Sequence, residues 1–216
     1  MTIFTQPSIV TESLGDLLKR LGDISPDRIR MRPAPGMATP ADVEQIHMRE
    51  KRLFELIDGV LVEKGMGYWE SLLAATIARL IGNWVAPRKL GAVTGADGML
   101  RLFPDQVRIP DVAYVSWGRF PEKPMRREAL PHLVPDLAVE VLSESNTKRE
   151  MARKCGEYFD AGVRLVWIVD PNSRTVVVFT GMNQSTTFNQ DQILDGGDVL
   201  PGFTLSLKEL FAELPD

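Results

Sequence analysis

The segment at residues 137–142, LAVEVL, constrains the fold most strongly because it places a charged residue inside an aliphatic strand. Apolar side chains on both faces of a strand are typical of a strand that is buried on both sides. Because side chains alternate across a strand, Glu140 shares its face with Ala138 and Leu142. A lone buried carboxylate is costly unless it is paired or bound to a metal. We therefore expect Glu140 to pair with an arginine, to lie at an exposed sheet edge, or to bind a metal ion.

Two apolar segments at residues 54–57 and 60–64 predict a β-hairpin on the N-terminal side of the main sheet. They are joined by Asp58-Gly59, a pair that suits a two-residue type I′ turn. The Pro-rich residues before this hairpin predict a segment that wraps the surface. We therefore divide the chain into an N-terminal extension, residues 1–49, and a folded domain, residues 50–216, which opens with the hairpin.

Two helices and several further strands complete the predicted domain. Residues 71–85 are apolar on most faces, which predicts a buried helix that ends at Pro87. Residues 147–161 predict a second helix, with Thr147 as its N-cap and Gly162 as its C-terminal stop. The other predicted strands cover residues 91–103, 107–116, 164–170 and 175–179, and the tail adds a short strand and helix. This order predicts an α/β fold with a mixed β-sheet flanked by helices.

The amino-acid composition argues against several classes of protein. No run approaches the roughly 20 apolar residues of a membrane span, and the N-terminus lacks the pattern of a signal peptide. The single cysteine, Cys155, permits no intrachain disulfide, which fits a reducing cytoplasm. With only two histidines there are too few ligands for a zinc site, so a bound metal would be held mainly by oxygen. A net charge of −4 argues against a protein that coats nucleic acid nonspecifically.

Two basic segments are candidate phosphate contacts despite this overall charge. One contains Arg119, Lys123, Arg126 and Arg127, and the other contains Lys148, Arg149, Arg153 and Lys154. Solvated surface charge is at least as good an interpretation of any one of them. The sequence has neither a GxxxxGK[ST] nor a GxGxxG motif, so no nucleotide-binding loop is indicated. The GADG segment that begins at Gly95 is interpreted as a turn.

Asp111 and Lys154 are the residues expected to join Glu140. Asp111 follows Pro110 at the start of an apolar strand, where a structural turn residue is the other interpretation. Lys154 lies at the margin of the apolar stripe of the second helix, where a lysine can extend to water. If the two strands are neighbours and the helix packs on them, the three side chains converge.

Two carboxylates and an ammonium suit phosphodiester hydrolysis. Carboxylate oxygens bind Mg²⁺, which polarises a phosphoryl oxygen and activates a bound water. A nearby ammonium can orient that water or offset the charge that develops on the phosphoryl group. We therefore predict Asp111, Glu140 and Lys154 as catalytic residues. The predicted ligands of Mg²⁺, for which Mn²⁺ can substitute, are Asp111, Glu140 and the backbone carbonyl of Val141.

Five segments carry a family resemblance: FELIDGVLVEK, VRIPDVAYVS, DLAVEVLSESN, KCGEYFDAGVRLVWIVDP and DVLPGFTLSLKELF. In this order, over residues 50–214, they resemble the Uma-two family of restriction-endonuclease-like proteins, a branch of the PD-(D/E)xK nuclease superfamily. The resemblance implies a restriction-endonuclease-like fold and Mg²⁺-dependent hydrolysis of DNA. The superfamily's aspartate falls on Asp111 and its acidic partner on Glu140. Its usual lysine position holds Leu142 here, and the resemblance moves the lysine's role to Lys154.

Two other acidic residues have two interpretations each. Glu70 lies near the start of the long helix, where many members of the family have a histidine. It is either an extra metal ligand or a residue that favours the helix N-terminus, and we prefer the second interpretation. Glu55, in the hairpin, either lines the site or faces solvent. Neither residue is included in the predicted catalytic set.

The leading functional hypothesis is an endonuclease that acts on DNA, with a homodimer as the form that cuts both strands. The alternative is a catalytically silent protein that keeps the fold to bind nucleic acid or a protein partner. Hydrolysis of another phosphoester is a third hypothesis. A divalent ion between Asp111 and Glu140 would favour the enzyme, and an arginine that bridges them would favour the silent protein.

Overall fold

The computed structural model of the chain describes residues 13–65, 67–120 and 128–212, together with residue 214. Its helices are α1 (Leu14–Arg20), α2 (Pro40–Glu50), α3 (Tyr68–Arg88), α4 (Lys148–Ala161) and α5 (Leu207–Phe211). Its strands are β1 (Ile29–Arg30), β2 (Phe54–Ile57), β3 (Val60–Glu63), β4 (Gly91–Thr94), β5 (Leu100–Phe103), β6 (Gln106–Arg108), β7 (Val112–Ser116), β8 (Leu137–Val141), β9 (Leu165–Asp170), β10 (Thr175–Gly181), β11 (Gln184–Asn189), β12 (Ile193–Gly196) and β13 (Leu200–Ser206).

These strands form two larger sheets and a separate hairpin of β12 and β13. The larger sheet has the strand order β11-β10-β9-β8-β7-β4, in which β8 and β9 are parallel and the other neighbours antiparallel. Parallel neighbours need a crossover connection, which α4 provides. The second sheet has the order β1-β3-β2-β6-β5 and is antiparallel. The predicted α/β fold, with a mixed sheet flanked by helices, is therefore confirmed.

Helices α3 and α4 cover opposite faces of the six-stranded sheet. Val139 of β8 belongs to the same buried cluster as Ile77 of α3. Ala138, on the other face of the same strand, belongs to the cluster that contains Met151 of α4. Full burial of an aliphatic side chain contributes roughly 1.5–3 kcal/mol. This packing fixes the register of β8 and therefore turns Glu140 towards α4.

The chain passes from one sheet to the other between β6 and β7. Pro110 lies at this passage, where its missing N–H interrupts strand pairing. The strand predicted over residues 107–116 is therefore interrupted, because β6 and β7 belong to different sheets. The strand predicted to start after Pro110 is β7. The segment at residues 91–103 forms β4 and β5 on either side of a turn at residues 95–98, which confirms the turn predicted for the GADG segment. As a result, Asp111 lies where the two sheets meet.

The hairpin of β2 and β3 turns at Asp58 and Gly59, whose φ angles are 49° and 71°. Two positive values match a type I′ turn and confirm the predicted hairpin. β1 pairs with β3, and Leu21 shares a buried cluster with Ile57, so the segment before residue 50 packs on the hairpin. The division of the chain after residue 49 stays a prediction.

The two predicted helices are present, with one change of bounds. α4 begins after Thr147, whose side chain accepts an N–H of the first turn, and ends at Gly162 with φ 96°. α3 begins at Tyr68, earlier than predicted, and ends one residue beyond Pro87. A proline in the last turn removes little helical hydrogen bonding, so it does not stop the helix at once. Although α3 has 21 residues, no helix of the described residues is long and apolar enough to cross a membrane.

Gly59 and Gly82 give opposite expectations for a glycine-to-alanine change. A Cβ at Gly59 would lie 2.6 Å from the backbone of Gly36, at a φ that L-residues disfavour. We expect Gly59→Ala to lower the free energy of unfolding by at least about 1 kcal/mol. Gly82, inside α3, has open space around the position of an added Cβ. Gly82→Ala should therefore raise the free energy of unfolding by about 0.5–1 kcal/mol. Urea unfolding measures both, and equal effects of the two changes would contradict this account.

Candidate active site

Asp111, the residue before β7, lies beside Glu140 of the neighbouring antiparallel strand β8. β7 pairs with β8 through Val112 opposite Val139, and the same register, continued by one residue, puts Asp111 opposite Glu140. The N–H of Asp111 donates to the carbonyl of Val139 at 3.0 Å. Asp111 Oδ2 accepts the N–H of Val141 at 2.7 Å. Strand pairing therefore fixes the two carboxylates side by side, and each residue is 4% exposed.

Helix α4 supplies two partners for Glu140. Lys154 Nζ lies 3.1 Å from Glu140 Oε2, and the hydroxyl of Tyr158 donates to Glu140 Oε1. Residues four apart on a helix lie on one face, which explains how Lys154 and Tyr158 reach the same carboxylate. The Lys154 side chain is 5% exposed, so this lysine does not extend to water. The structure therefore brings together the three residues that were predicted as catalytic.

Glu55 of β2 also lies inside this cluster, so it does not face solvent. It is 1% exposed, and its Oε1 lies 3.2 Å from Lys154 Nζ. Arg108 of β6 donates to Glu55 Oε2 at 2.7 Å and, on its other side, to Glu157 of α4. The N–H of Ile109 completes the set at 3.1 Å from Glu55 Oε1. Glu55 therefore links the five-stranded sheet to the lysine of α4.

Lys64 is a residue of the cluster that the sequence analysis missed. Its side chain is 8% exposed, and Nζ lies 2.7 Å from Asp111 Oδ1 and donates to the carbonyl of Ile109. A lysine that follows a short strand resembles an ordinary solvated strand end. The signal that could have found it is the alternation along β3, which puts Lys64 on the buried face with Val60 and Val62.

The cluster balances its formal charges. Three carboxylates are matched by three cations within ion-pair distance: Glu55, Asp111 and Glu140 by Lys64, Arg108 and Lys154. Glu157, at the edge, also pairs with Arg153 at 2.7 Å. Removal of one partner from such a group leaves an uncompensated buried charge. The interactions are therefore mutually dependent, and they join both sheets to α4.

Burial and neighbouring charge move the pKa values of the carboxyl groups in opposite directions. Burial raises the pKa of Glu140, and the nearby charge of Asp111 adds to this effect, while Lys154 opposes it. Burial would also raise the pKa of Glu55, but Lys154, Arg108 and Lys64 outweigh it and lower the pKa of that carboxyl. Burial would lower the pKa of Lys154, but Glu140 and Glu55 raise it, so Lys154 stays protonated. Of the two glutamates, Glu140 is therefore the one that takes up a proton more readily.

The carboxylate oxygens of Asp111 and Glu140 are of the type that binds a magnesium ion, although the protein ligands are few. No group of three or more His, Cys, Asp or Glu side chains suited to a metal occurs among the described residues. Mg²⁺ is commonly held by one or two carboxylates and keeps several waters, so Asp111 and Glu140 suffice as hard oxygen ligands. Each carboxylate offers about four lone-pair positions, of which the contacts of Asp111 to Val141 and Lys64 use two. The ammonium of Lys64 lies against the Asp111 oxygen that would bind the ion.

Glu70 lies outside this ion-pair cluster. Its carboxylate folds over Gly67, the residue before α3, where an added Cβ would lie 2.2 Å from Glu70 Oε2. A carboxylate in the first helical turn interacts favourably with the free N–H groups and the dipole of the helix. This position supports the interpretation of Glu70 as a residue of the helix N-terminus.

The second basic segment mostly serves contacts within the protein. Arg149 pairs with Asp23 at 2.6 Å, and Arg153 pairs with Asp58 at 2.9 Å in addition to Glu157. Lys154 is buried in the cluster, whereas Lys148 and Arg149 are both exposed. In the first segment, Arg119 pairs with Asp136 at 3.0 Å. The other three predicted phosphate contacts lie outside the described residues: Lys123, Arg126 and Arg127.

A model of a known protein family matches most of this chain. The family model described as "Uma2: Putative restriction endonuclease" matches residues 40–208. The chain therefore belongs to the Uma2 family, and the resemblance to the Uma-two family is confirmed. Membership of this family supports a nuclease function.

A solved structure supports the fold independently. It is described as "a putative nuclease belonging to DUF820 from Anabaena variabilis ATCC 29413". Its sequence is 22% identical to this chain, and the match covers 76% of this chain and 93% of that one, with a TM-score of 0.69. A search among curated proteins gave no match.

Arg108 and Arg52 test how much the cluster stabilises the fold. Arg108 is 1% exposed between two carboxylates, so Arg108→Met should lower the free energy of unfolding by about 3–5 kcal/mol. Arg52 pairs with Glu63 but its side chain is 49% exposed, so Arg52→Met should cost about 1 kcal/mol or less. Urea unfolding of both variants measures the difference. An equally small effect at Arg108 would show that the cluster is not a main source of stability.

Proposed function

We propose that this protein is a Mg²⁺-dependent endonuclease that hydrolyses phosphodiester bonds of DNA. The observation that carries the proposal is the register of β7 and β8, which sets Asp111 opposite Glu140 with Lys154 3.1 Å from the glutamate. Two adjacent hard-oxygen carboxylates and a fixed ammonium are the groups that this hydrolysis needs. The family supports a nuclease, while the metal, the DNA substrate and the roles of the residues are our proposal.

Asp111 and Glu140 would hold the ion through their carboxylates, with the carbonyl of Val141 as a third ligand. When bound, Mg²⁺, or Mn²⁺ in its place, supplies polarisation of the phosphoryl oxygen and an activated water. The N–H of Val141 holds Asp111 in position, and Tyr158 holds Glu140. Lys154 keeps its proton and offsets the negative charge that develops on the phosphoryl group.

Lys64 is the residue that must change partner when the ion binds. The cluster is already neutral, so a divalent ion would add two positive charges unless a cation leaves. Lys64 is the cation in contact with Asp111, and it follows β3 directly, so a side-chain rotation can move its ammonium away. Lys154 is tied to two carboxylates and is less suited to leave.

A catalytically silent binding protein is the second candidate, and one observation favours it. The oxygens of Asp111 and Glu140 all contact protein donors, so the cluster is complete without a metal. The arginine that would have marked a silent site is not seen: among the described residues, Arg108 pairs with Glu55 and Glu157, and no arginine bridges Asp111 and Glu140. Cleavage assays decide between the two candidates.

The proposed number of chains in the active protein follows from the number of sites in each chain. Because one chain carries one site, cutting both strands of a duplex favours a homodimer with two sites. Sedimentation velocity with and without a DNA duplex tests the number of chains.

A cytoplasmic location fits the single, buried cysteine, which is Cys155.

Substitution of either proposed ligand should abolish metal-dependent cleavage. Asp111→Asn and Glu140→Gln keep the shape of each side chain but remove the negative charge that binds the ion. We expect each to reduce cleavage of plasmid and single-stranded DNA by at least about a hundredfold, because metal catalysis contributes several kcal/mol. Asp160→Asn, at an exposed acid of α4, is the matched control and should cleave normally.

Circular dichroism and urea unfolding of the same variants must show that the fold is kept. Cleavage that persists in Asp111→Asn and Glu140→Gln would come from another site or a contaminant. Absence of cleavage by the unaltered protein with both Mg²⁺ and Mn²⁺, together with metal-independent binding of DNA, would favour the silent protein.

Lys64→Met should bind Mn²⁺ more tightly than the unaltered protein. The change removes an ammonium 2.7 Å from a proposed ligand oxygen, so the affinity measured by calorimetry should rise on the order of tenfold. Lys148→Met removes the same charge from the exposed start of α4 and is the matched control, with little change expected. Weaker binding by Lys64→Met would instead mean that Lys64 supports the metal-bound arrangement.

A further inference from the structure

A cavity of about 470 Å³ opens beside the proposed active site. Its lining includes Gly65 and Gly67, Trp69 of α3, and the loop after β8 that contains Ser143 and Glu144. Gly65 follows Lys64, and Ser143 comes two residues after Val141. Two residues of chain span at most about 7 Å, so the cavity and the carboxylate pair are close neighbours. A molecule in the cavity would therefore lie close to the proposed active site.

The aromatic side of the cavity is exposed to solvent. Trp69 is 45% exposed, and Tyr68, at 74% exposed, packs edge-on against it with ring centroids 4.9 Å apart. Both rings lie in the first turn of α3, outside the buried clusters of the fold. An indole next to a cavity offers a surface on which a flat ring can stack. Stacking on such a ring is the common way in which proteins hold unpaired bases.

The polar side of the cavity indicates which flat ring would fit. Glu70, Glu144 and Asn172 line it, and no lysine or arginine does so among the described residues. Carboxylates repel a phosphate, but they accept hydrogen bonds from the amino and imino groups of bases. The cavity therefore suits an uncharged aromatic ring with N–H donors rather than the phosphate backbone.

We propose that this cavity binds one unstacked nucleobase of the DNA strand whose phosphate lies at Asp111 and Glu140. The inference rests on the proposed function and adds a substrate class to it: single-stranded DNA, or a duplex that is locally unpaired. A base inside an intact duplex cannot reach such a cavity, because it must first leave the stack. Trp69 provides the stacking surface, and Glu144 and Asn172 provide partners for the edge of the base.

Variants of Trp69 test the stacking surface directly. Fluorescence anisotropy measures binding of a labelled 12-nucleotide strand and of its duplex, in Ca²⁺ buffer and under conditions in which the strand stays intact. Trp69→Ala should weaken binding of the single strand on the order of tenfold, because one stacked base is lost. Trp69→Phe keeps an aromatic ring and should retain most of the affinity. Binding of the duplex should change little in either variant.

Trp117 provides the matched control. It is 42% exposed and packs on Phe120 with centroids 5.0 Å apart, but it follows the end of β7 opposite to Asp111. Trp117→Ala should leave binding of the single strand unchanged. If Trp117→Ala and Trp69→Ala weaken it equally, the effect is general loss of exposed aromatic surface and the inference is overturned.

A DNA strand in which one nucleotide lacks its base can identify the base that stacks on Trp69. When the abasic position is moved along the strand, one placement should weaken binding by the unaltered protein. The same placement should have no further effect on Trp69→Ala, because the ring and the base form one interaction. The inference is overturned if every abasic placement weakens binding by Trp69→Ala as much as binding by the unaltered protein. It is also overturned if Trp69→Ala binds the intact strand as tightly as the unaltered protein does.

Two further measurements separate this inference from the proposed function. In one outcome, Asp111→Asn loses metal-dependent cleavage, whereas Trp69→Ala keeps both cleavage and binding of the single strand. This outcome would overturn the base-binding role of the cavity and support the nuclease function. Absence of cleavage in the unaltered protein overturns the proposed function instead. Dissociation of a dimer by Trp69→Ala, detected by sedimentation velocity, would assign the aromatic pair to contact between two copies and overturn the base site.

Discussion

The structure depends on the burial of Asp111 opposite Glu140 in adjacent strands. Two carboxylates so placed in a covered sheet repel each other and lose hydration, so the fold must bring cations to them. Those cations come from separate parts of the chain: Lys64 after β3 and Lys154 from α4. Arg108 of β6 adds a third through Glu55. The electrostatic requirement of one strand pair thus joins the hairpin, both sheets and the crossover helix.

Much of the fold could be predicted because its determinants are local. The Asp58-Gly59 turn and the caps of α4 depend on residues that are adjacent in sequence, and the apolar strands depend on alternation. The division of the chain between two sheets could not be predicted in this way. Whether β6 and β7 are one strand or two depends on partners far along the chain, and Pro110 fits either arrangement. For the same reason β11, a polar edge strand, and the pairing of β12 with β13 had no clear signal.

The same distinction applies to the candidate site. Asp111 and Glu140 could be recognised because a carboxylate in an apolar strand contradicts the surrounding pattern. Lys154 could be placed near them only by assuming how α4 packs, and its full burial follows from two carboxylates on different sheets. Lys64 follows β3 and Arg108 ends β6, so both resemble solvated charges until their partners are known. Residues that violate a local rule are therefore visible in sequence, whereas residues that compensate for the violation are visible only in three dimensions.

The charge balance also links the cluster to what it would bind. A neutral buried cluster is stable by itself, so a divalent ion is favoured only when a cation moves away or further negative charge arrives. A phosphate brings such charge, and it would lie at the end of the cluster where Lys64 meets Asp111. The neighbouring cavity is lined by Glu70 and Glu144, which would repel a second phosphate and, in the proposed complex, leave space for a base. In the proposed complex, ion, phosphate and base would be coupled electrostatically, because each would make binding of the next more favourable. Without nucleic acid, the carboxylates would keep their protein partners.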